Sequence, residues 1–356
     1  QNIVNAYNAI RENADGTANN YSSNPTQTDY ALIGVTGVDT TAKESLLGDA
    51  IDGKPFSAVD SVLEVQALAD AAAAVMTGAA GGAAPTQAQL AALGITGVTP
   101  ANLAAVLAAI AATPDDGTGV DTLSELQAVA TNAAAAAAAL DTIAAAAQAN
   151  DASNANVPAS VFVTAGITGV TADNVAAIQS ALNSTAVIGT SADTKAEVQA
   201  IVDAYNAIKA NADGTPNNNA TNPTQAQYAA IGVTGVDSNV KASLLGDVVD
   251  SKPFTAVDTV PELQALADAA AAVMTGAAGG TAPTKAQLEA LGITGVTDAN
   301  LAEVQATIAR TADDGIGVDT LAELQAVVTI GADAAAAAAA AAVAAHSESE
   351  SNSTKG

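Results

Sequence analysis

Residues 85–103 read PTQAQLAALGITGVTPANL, and this stretch predicts a short helix, a tight turn and the start of a second helix. Thr86 and Gln89 have the spacing of a capping box, in which each side chain bonds to the other residue's backbone N–H. Leucines at helical spacing follow and give the short helix an apolar face. Gly94 is predicted to end this helix, because glycine enters the left-handed conformation of a helix C-terminus without steric cost.

Two further helices are predicted downstream of this turn. Thr99 is expected to cap the second helix, which carries apolar residues at helical spacing and ends at TPDDG, residues 113–117. A third helix is predicted at Thr122, where another capping box begins, and the sequence from there to Ala149 contains no Gly or Pro. At 1.5 Å per residue this helix would span about 40 Å. We therefore expect a unit of three helices.

The unit recurs along the chain. Its Gly-Ile/Val-Thr-Gly-Val turn occurs five times, and so does the capping box of the third helix, at Ser61/Glu64, Thr122/Glu125, Thr194/Glu197, Thr259/Glu262 and Thr320/Glu323. A longer period contains this one, since QALADAAAAVMTGAAGG at residues 66–82 returns at residues 264–280, an offset of 198 residues. The offset holds without a gap from Gln1/Gln199 to Ala147/Ala345. Nested periods of this kind are typical of an array of small stacked units.

These periods predict an all-α fold, an elongated tandem array of small three-helix modules. Gly78 and the glycine pair at 81–82 are expected to end the third helix of the first module. Because the chain opens inside a repeat, we expect it to be a segment of a longer protein. The predicted parts are a trailing helix with its connector at 1–23, modules at 24–82, 83–150, 151–221, 222–280 and 281–345, and a disordered low-complexity tail at 346–356.

Composition limits the class of protein. Of the 356 residues, 49% are hydrophobic, but alanine dominates this share and aromatic residues make up only 2%. Each unit must build a thin core from Leu, Ile and Val, so part of its stability is expected to come from its neighbours. The formal charge of −27 would be repelled by phosphate backbones, which argues against nucleic acid as a partner. The absence of cysteine excludes disulfides and cysteine-type zinc sites.

Membrane insertion is not expected from the sequence. The charge-free stretch at residues 126–140 is mostly alanine, and its 15 residues fall short of the roughly 20 apolar residues that a membrane span requires. The first ten residues lack the basic and apolar regions of a secretory leader. An alanine-rich helix in water is the predicted state of the stretch.

Enzymatic chemistry has little support in these residues. The only histidine is His346, in the predicted tail, so Ser/His/Asp and Cys/His arrangements are absent. The carboxylate pairs Asp115/Asp116 and Asp313/Asp314 lie in predicted loops, where nothing would desolvate them and raise a pKa. The glycine turn follows a helix and lacks the Gly-Lys-Ser/Thr ending of a phosphate loop. We predict a protein that is not an enzyme and carries no cofactor.

Calcium is the one ion that the sequence brings into consideration. Residues 13–20 and 211–218 repeat a pattern of Asn, Asp and Gly whose oxygen atoms suit calcium. The segments lack the full Asp-x-Asp-x-Asp-Gly pattern with a terminal Glu, and Asx turns account for the same residues without a metal. Turns are therefore the expected structure and a calcium site is the alternative, with the candidate ligands Asp15, Asn19, Asp213 and Asn217.

The residues LGIT at 93–96, NL at 102–103 and VDTLSEL at 120–126 resemble the GA-type three-helix module. Streptococcal surface proteins use that module to bind serum albumin, and GA-like repeats occur along very large secreted adhesins and biofilm proteins of Gram-negative bacteria. The resemblance covers nearly every unit and implies the three-helix fold. Albumin binding is not carried over, because the second helix has alanine where contact side chains are needed and the loop at 114–120 is longer.

The repeats, the acidity, the lack of cysteine and the GA-like resemblance together predict a non-enzymatic extracellular repeat region. It would serve as a spacer and scaffold of a bacterial adhesin or biofilm matrix protein at the cell surface, where many weak contacts add through effective concentration. Its expected partners are neighbouring repeats of the same protein and a cell-surface or matrix molecule. Two alternatives stay open: a self-assembling subunit of a filament or surface layer, and a module that binds a host protein such as albumin.

Overall fold

The computed structural model describes residues 1–18, 23–150, 156–216, 221–312 and 314–353, with side chains described up to residue 347. Within these ranges the chain is all-helical, as the sequence predicts, and it contains no β-strand. Two isolated β-bridges occur between connectors, Asp15 with Pro55 and Asp213 with Pro253.

Sixteen α-helices follow one another in the described part of the chain, mostly as short helices with a longer one at every third place. Single 3-10 turns precede some of the longer helices, at Phe56–Ala58, Gly189–Ser191, Phe254–Ala256 and Ile316–Val318. The helices are α1 Asn2–Asn13, α2 Gln27–Leu32, α3 Thr41–Asp52, α4 Val62–Ala79, α5 Gln87–Leu93, α6 Leu103–Ala111, α7 Leu123–Ala149, α8 Ala159–Thr164, α9 Val175–Leu182, α10 Lys195–Asn211, α11 Gln225–Ala230, α12 Asn239–Asp250, α13 Val260–Ala277, α14 Lys285–Ala290, α15 Leu301–Ile308 and α16 Leu321–Ser353.

The chain divides into two compact units, Gln1–Ala139 and Leu140–Gly356, and the division falls within α7. In the first unit a single apolar cluster extends from Ala6 in α1 to Ala133 in α7. Helix α1 packs against α2 and α3, and α4 packs against α3 before it and α5 and α6 after it. A long helix thus shares its apolar surface between the short helices on both sides of it in the chain.

The second unit repeats this packing. Helix α10 contacts α9 before it and α11 and α12 after it, while α13 contacts α9 and α12 on one side and α14 and α15 on the other. The largest fully buried side chains here are aromatic, Phe162, Tyr205 and Tyr228, and the other buried hydrophobic residues are almost all aliphatic. Because the sequence is so poor in aromatic residues, each buried ring fills a large part of a core that is otherwise built from Ala, Val, Leu and Ile.

The predicted capping boxes of the third helices form both reciprocal bonds at four sites, and at Thr320/Glu323 the bond from the Glu323 backbone N–H is present. In each one the backbone N–H of the Glu donates to the Ser or Thr hydroxyl oxygen, over 3.2 to 3.4 Å. A cap of this type stabilises a helix by about 1 kcal/mol. The predicted box at Thr86 and Gln89 is also formed, and Gly94 ends its helix in the left-handed conformation with φ of 102°. Helix α7 runs without a break over 27 residues, as expected.

Three local predictions differ from the structure. Helix α6 begins at Leu103, because Thr99 and Asn102 bond to each other's backbone N–H and complete a separate turn first. Gly78 lies inside α4, where a Cβ would meet the Cδ of Pro85 at 2.9 Å, and the left-handed Gly81 follows the helix end. Helix α16 continues to Ser353 through most of the segment expected to be disordered, since no Gly or Pro interrupts it there.

Some long helices receive a cap from a distant part of the chain. The Asp49 carboxylate of α3 accepts a hydrogen bond of 3.0 Å from the backbone N–H of Leu123, the first residue of α7. Asp247 of α12 does the same for Leu321 of α16, at 3.1 Å. A negative charge at a helix N-terminus is favourable, because the free N–H groups carry a partial positive charge. These bonds fix the start of a long helix on the preceding repeat.

Candidate functional site

The repeated glycine turn is held by a pair of hydrogen bonds that we call the carboxamide clip. In each copy a Gln side chain from the long helix accepts from the backbone N–H of the turn's Thr, over 2.8 to 3.0 Å. The same carboxamide donates to the backbone carbonyl of that Thr, over 3.0 to 3.1 Å. The pairs are Gln66 with Thr36, Gln127 with Thr96, Gln199 with Thr168, Gln264 with Thr234 and Gln325 with Thr294.

The clip explains the composition of the turn. The glycines on both sides of the Thr have positive φ in all five copies, for example 102° at Gly94 and 80° at Gly97. This backbone turns both polar groups of the Thr outward, where one planar carboxamide reaches both of them. Sequence reasoning identified the turn but missed the Gln. The signal was present, since a Gln stands two residues after the capping Glu in every copy.

The structure describes two of the four calcium candidates. Asp15 and Asp213 are exposed, and the Oδ1 atom of each accepts from a backbone N–H two residues ahead, at 2.8 Å from Thr17 and 2.7 Å from Thr215. These are Asx turns, the arrangement expected without a metal. Asn19 and Asn217 lie outside the described residues. In the part of the chain that is described, no three Asp, Glu or His side chains come together as metal ligands.

The loop carboxylates are solvated in the way that the sequence suggests. Asp116 is exposed and accepts hydrogen bonds from the backbone N–H and the hydroxyl of Thr118, at 3.0 and 2.8 Å. These bonds hold the pKa of Asp116 below its usual range, which is the opposite of what a general acid requires. Asp314 is also exposed, and Asp313 is not among the described residues.

A second set of carboxylates lies at the start of the long helices. Partial burial, together with the neighbouring Glu125, raises the pKa of Asp121. The hydroxyl of Thr122 in turn holds the pKa of Glu125 below its usual range. Asp193 and Glu197 show the same opposed directions for the same reasons. In these two capping boxes Glu125 and Glu197 are thus the ionised partners, and their charge lies at a helix N-terminus, where it is favourable.

The second unit contains a groove of about 680 Å³ beside α9. Helix α9 and the loop after it form one wall, which includes Ser180, Asn183 and Thr185. The first turn of α13 forms the opposite wall with Val260 and Pro261. The walls are joined by a hydrogen bond of 2.9 Å from the backbone N–H of Val260 to the Ser180 hydroxyl oxygen. None of the described residues that line the groove is charged.

Three helices are long and apolar enough to cross a membrane by length and composition. Half of the most apolar window of Val62–Ala79 is buried in the core of the first unit, whereas 17% is buried in Leu123–Ala149 and 11% in Leu321–Ser347. Helix Leu123–Ala149 contains the charge-free stretch at 126–140 and is longer than that stretch. The absence of membrane insertion therefore stays a prediction.

No known protein family, curated protein or solved structure matches this chain. The likeness to GA-type modules accordingly rests on the residues quoted above and stays a prediction.

Proposed function

We propose that this chain is a non-enzymatic spacer and scaffold of a bacterial cell-surface adhesin or biofilm matrix protein. It would consist of three-helix modules in tandem, α2–α4, α5–α7, α8–α10, α11–α13 and α14–α16, with α1 as the counterpart of the last part of α10. The order and lengths of the helices support this division, as does the recurrence of the carboxamide clip once in each group.

The observation that carries the proposal is the sharing of long helices between consecutive groups. Helix α4 buries Leu68, Ala72 and Val75 in a cluster that includes side chains from both α3 and α6. A module packed in this way gains stability from the module that follows it, so that the modules do not behave as independently folded domains. Coupled units of similar size suit a spacer segment, which holds the segments on either side of it at a set distance.

The surface chemistry agrees with an extracellular spacer. A charge of −27 keeps such a chain soluble and discourages adhesion to anionic polymers. The absence of cysteine removes any dependence on the redox state of the surroundings. Neither feature requires a bound ligand.

A deletion of one full period tests the proposal. Removing residues 25–222 joins Asn24 to Pro223 and restores the Asn-Pro junction that both copies contain. Displayed on a bacterial cell between an anchor and a reporter domain with its own known ligand, the shortened chain should fold, as judged by circular dichroism. It should also bring the reporter closer to the membrane, measured by fluorescence quenching from the lipid surface. Insertion of an unrelated helical spacer of the same length should restore the distance and any adhesion that was lost.

Other outcomes would replace the proposal. An unchanged distance after the deletion would exclude a spacer role. Adhesion that the unrelated spacer does not restore would point to a specific binding surface, and capture of albumin from serum would identify a host-protein module. Fibres of the purified chain under negative stain would identify a filament or surface-layer subunit.

A further inference from the structure

One face of helix α1 is exposed, although its counterpart elsewhere in the chain is buried. Residues 1–13 align with residues 199–211 at the 198-residue offset, so α1 corresponds to the last part of α10. Ile201 and Val202 of α10 are 2% and 0% exposed. Their counterparts in α1, Ile3 and Val4, are 56% and 57% exposed. We infer that this face of α1 binds a pair of helices of the α8–α9 type. The partner would be a neighbouring repeat of the array, so the inference rests on the proposed function.

The opposite face of α1 is packed in the same way as in α10. Ala6 and Ile10 are fully buried there, as are their counterparts in α10. Asn13 donates a hydrogen bond of 2.8 Å to the Gly48 carbonyl, and its counterpart does the same in the second unit. Helix α1 contacts α2 and α3 just as α10 contacts α11 and α12. The difference in exposure therefore lies on the face where α10 meets α9 and the turn before it.

In α10 this face is covered by the glycine turn between α8 and α9. The carboxamide clip joins Gln199 to Thr168 of the turn, with both hydrogen bonds at 3.0 Å. The Val202 side chain lies against the same turn, since a Cβ on Gly169 would meet its Cγ1 atom at 3.6 Å. One turn thus holds a polar and an apolar side chain of the long helix.

Two further side chains of α10 extend this contact along the helix. The Asn206 carboxamide donates to the Gly169 carbonyl at 3.2 Å and accepts from the Asn174 side chain at 2.7 Å. The Lys209 Nζ atom forms an ion pair of 3.3 Å with Asp173. The helix pair is therefore recognised by a carboxamide and a cation in addition to the clip and the apolar contact.

Helix α1 retains the side chains that make these contacts. Gln1, Val4 and Asn8 are identical to their counterparts in α10, and Arg11 stands in place of Lys209 and is also a cation. The other four long helices differ, since counted from the Gln of the clip they have Ala in place of Asn8 and Ala or Met in place of Arg11. These residues are Ala73 and Met76 in α4, Ala134 and Ala137 in α7, Ala271 and Met274 in α13, and Ala332 and Ala335 in α16. A long helix of this fold does not require the two polar side chains, which suits them to a partner.

Charge distinguishes the α8–α9 pair from similar pairs in this chain. Counted from the Asn ahead of the second helix, Asp173 corresponds to Ala101 in the α5–α6 pair and to Ala299 in the α14–α15 pair. A pair that carries the carboxylate can form an ion pair with Arg11. An exposed ion pair adds little affinity, but it discriminates between partners that are otherwise alike.

A separate helix pair suits this face better than an intact second copy of the chain. In a second copy the α8–α9 pair already binds its own α10, so it would have to release that helix first. A pair whose turn is free can bury Ile3 and Val4 without such an exchange, and removal of these apolar side chains from water favours binding.

A titration of the full chain tests this inference. The probe is an acetylated and amidated peptide with the sequence of residues 156–183, added to isotope-labelled protein and followed by two-dimensional NMR. We expect saturable shifts at Ile3, Val4 and the Asn8 side-chain amide. The control peptide has the sequence of residues 84–111, the α5–α6 pair, and should bind more weakly by roughly threefold or more, because it lacks the carboxylate for Arg11.

Variants of the full chain locate the binding face. Asn8→Ala installs the residue of the other long helices and should weaken binding by roughly three- to tenfold, whereas Arg11→Lys should bind as well as the parent. Val4→Asp should abolish the shifts. Leu63→Asp places the same charge at an exposed apolar position of α4 and should leave them unchanged.

A fused chain keeps the test decisive if the free peptide does not fold. With residues 156–198 placed directly ahead of Gln1, NMR should show nuclear Overhauser contacts between the Val4 methyl groups and the glycines of the added turn. These contacts without binding of the free peptide would still identify the helix pair as the partner.

Three results would overturn the inference. The first is the absence of these contacts in the fused chain. The second is equal binding of the two peptides, or equal effects of Val4→Asp and Leu63→Asp. The third is self-association of the unmodified chain that Val4→Asp abolishes, which would identify a second copy as the occupant. None of these measurements depends on the distance between a reporter and the membrane, so they separate failure of this docking from failure of the spacer role.

Discussion

Thr96 illustrates how an exposed turn residue is held in this fold. It contributes its backbone N–H and carbonyl to Gln127, which lies 31 residues further along the chain. Both bonds are partly open to water, where a single hydrogen bond contributes about 0.5 to 1.5 kcal/mol. Five such clips are therefore a distributed source of stability, and each one fixes a turn onto the long helix of its own group.

Gln127→Glu tests the donor half of the clip. The variant keeps the acceptor for the Thr96 N–H but directs a carboxylate oxygen at the Thr96 carbonyl, so we expect a loss of about 1 kcal/mol at neutral pH. That carboxylate should have a raised pKa in the folded protein, since ionisation is disfavoured beside a carbonyl. The loss should therefore shrink as the pH falls through that raised pKa towards about 4.3, the pKa of Glu in the unfolded chain, because the protonated side chain can donate again. Urea denaturation at pH 7 and pH 3.5 measures the loss in free energy of unfolding at each pH.

Gln148→Glu is the control for that experiment. Gln148 uses its side-chain oxygen to accept from the Gly189 N–H at 3.2 Å, a bond that a carboxylate can also make. The Gln148→Glu variant should therefore have nearly the same free energy of unfolding as the parent protein at either pH. If both Glu variants behaved alike, general charge repulsion would be responsible and the clip would contribute nothing measurable.

Two tyrosines at equivalent positions of the repeat each place a hydroxyl group in the core, which lowers the stability of the folded state. The hydroxyls of Tyr30 and Tyr228 are buried without a hydrogen-bond partner in the described part of the chain, and burial raises the pKa of each well above its ordinary value. A raised pKa in the folded state means that stability is complete below about pH 10, where unfolded tyrosine ionises, and falls as the pH rises further. Replacement of both by Phe should be neutral or stabilising at pH 7 and should reduce the alkaline loss. Thermal melts at pH 7, 9 and 11 test this, and an unchanged alkaline loss would contradict it.

At the scale of single helices, α7 and α16 differ from the rest in length. Alanine gives them strong intrinsic helix propensity, and the capping box and the Asp49 or Asp247 side chain fix where they start. The continuity of α7 depends on the absence of Gly and Pro more than on burial, since much of that helix is exposed, whereas α16 continues through Gly331.

Proline substitution tests this account of α7. Ala137→Pro removes an internal hydrogen bond and adds a clash in the preceding turn, so we expect a loss of roughly 3 kcal/mol and lower helicity by circular dichroism. Leu63→Pro is the matched control. It changes the second residue of α4 to the proline that α13 has at the equivalent Pro261, where the first helical turn tolerates it. Equal losses in the two variants would show that α7 is not continuous in solution.

At the scale of the whole molecule, the excess of 37 acidic over 10 basic residues opposes compact folding. The six ion pairs among described residues are mostly exposed, for example Lys43 with Asp39 at 2.7 Å, and such pairs contribute little. Screening by salt should therefore raise the melting temperature without any specific ion.

Calcium provides the matching test of the connectors. At equal ionic strength, calcium chloride and sodium chloride should raise the melting temperature by similar amounts, and EDTA should have no effect of its own. A calcium-specific rise that disappears in Asp15→Asn and Asp213→Asn would overturn the assignment of these residues to plain turns.

The sequence alone determined the features that depend on neighbouring residues. Capping boxes, left-handed glycines and uninterrupted alanine stretches act within about one helical turn, so their spacing predicted the all-α fold and the starts of the long helices. The same reasoning placed the start of α6 too early, because a separate turn between Thr99 and Asn102 precedes the helix.

Only the tertiary structure decided which distant residues meet. The Gln127–Thr96 clip joins residues 31 apart, and the Asp49 cap of Leu123 joins residues 74 apart. The groove beside α9 depends on the approach of Ser180 to Val260, 80 residues later. No local preference encodes these contacts, since each requires helices to be packed before the polar groups come within reach. The repeated sequence determined the secondary structure of each segment, and burial of the shared long helices determined where the segments lie within each unit.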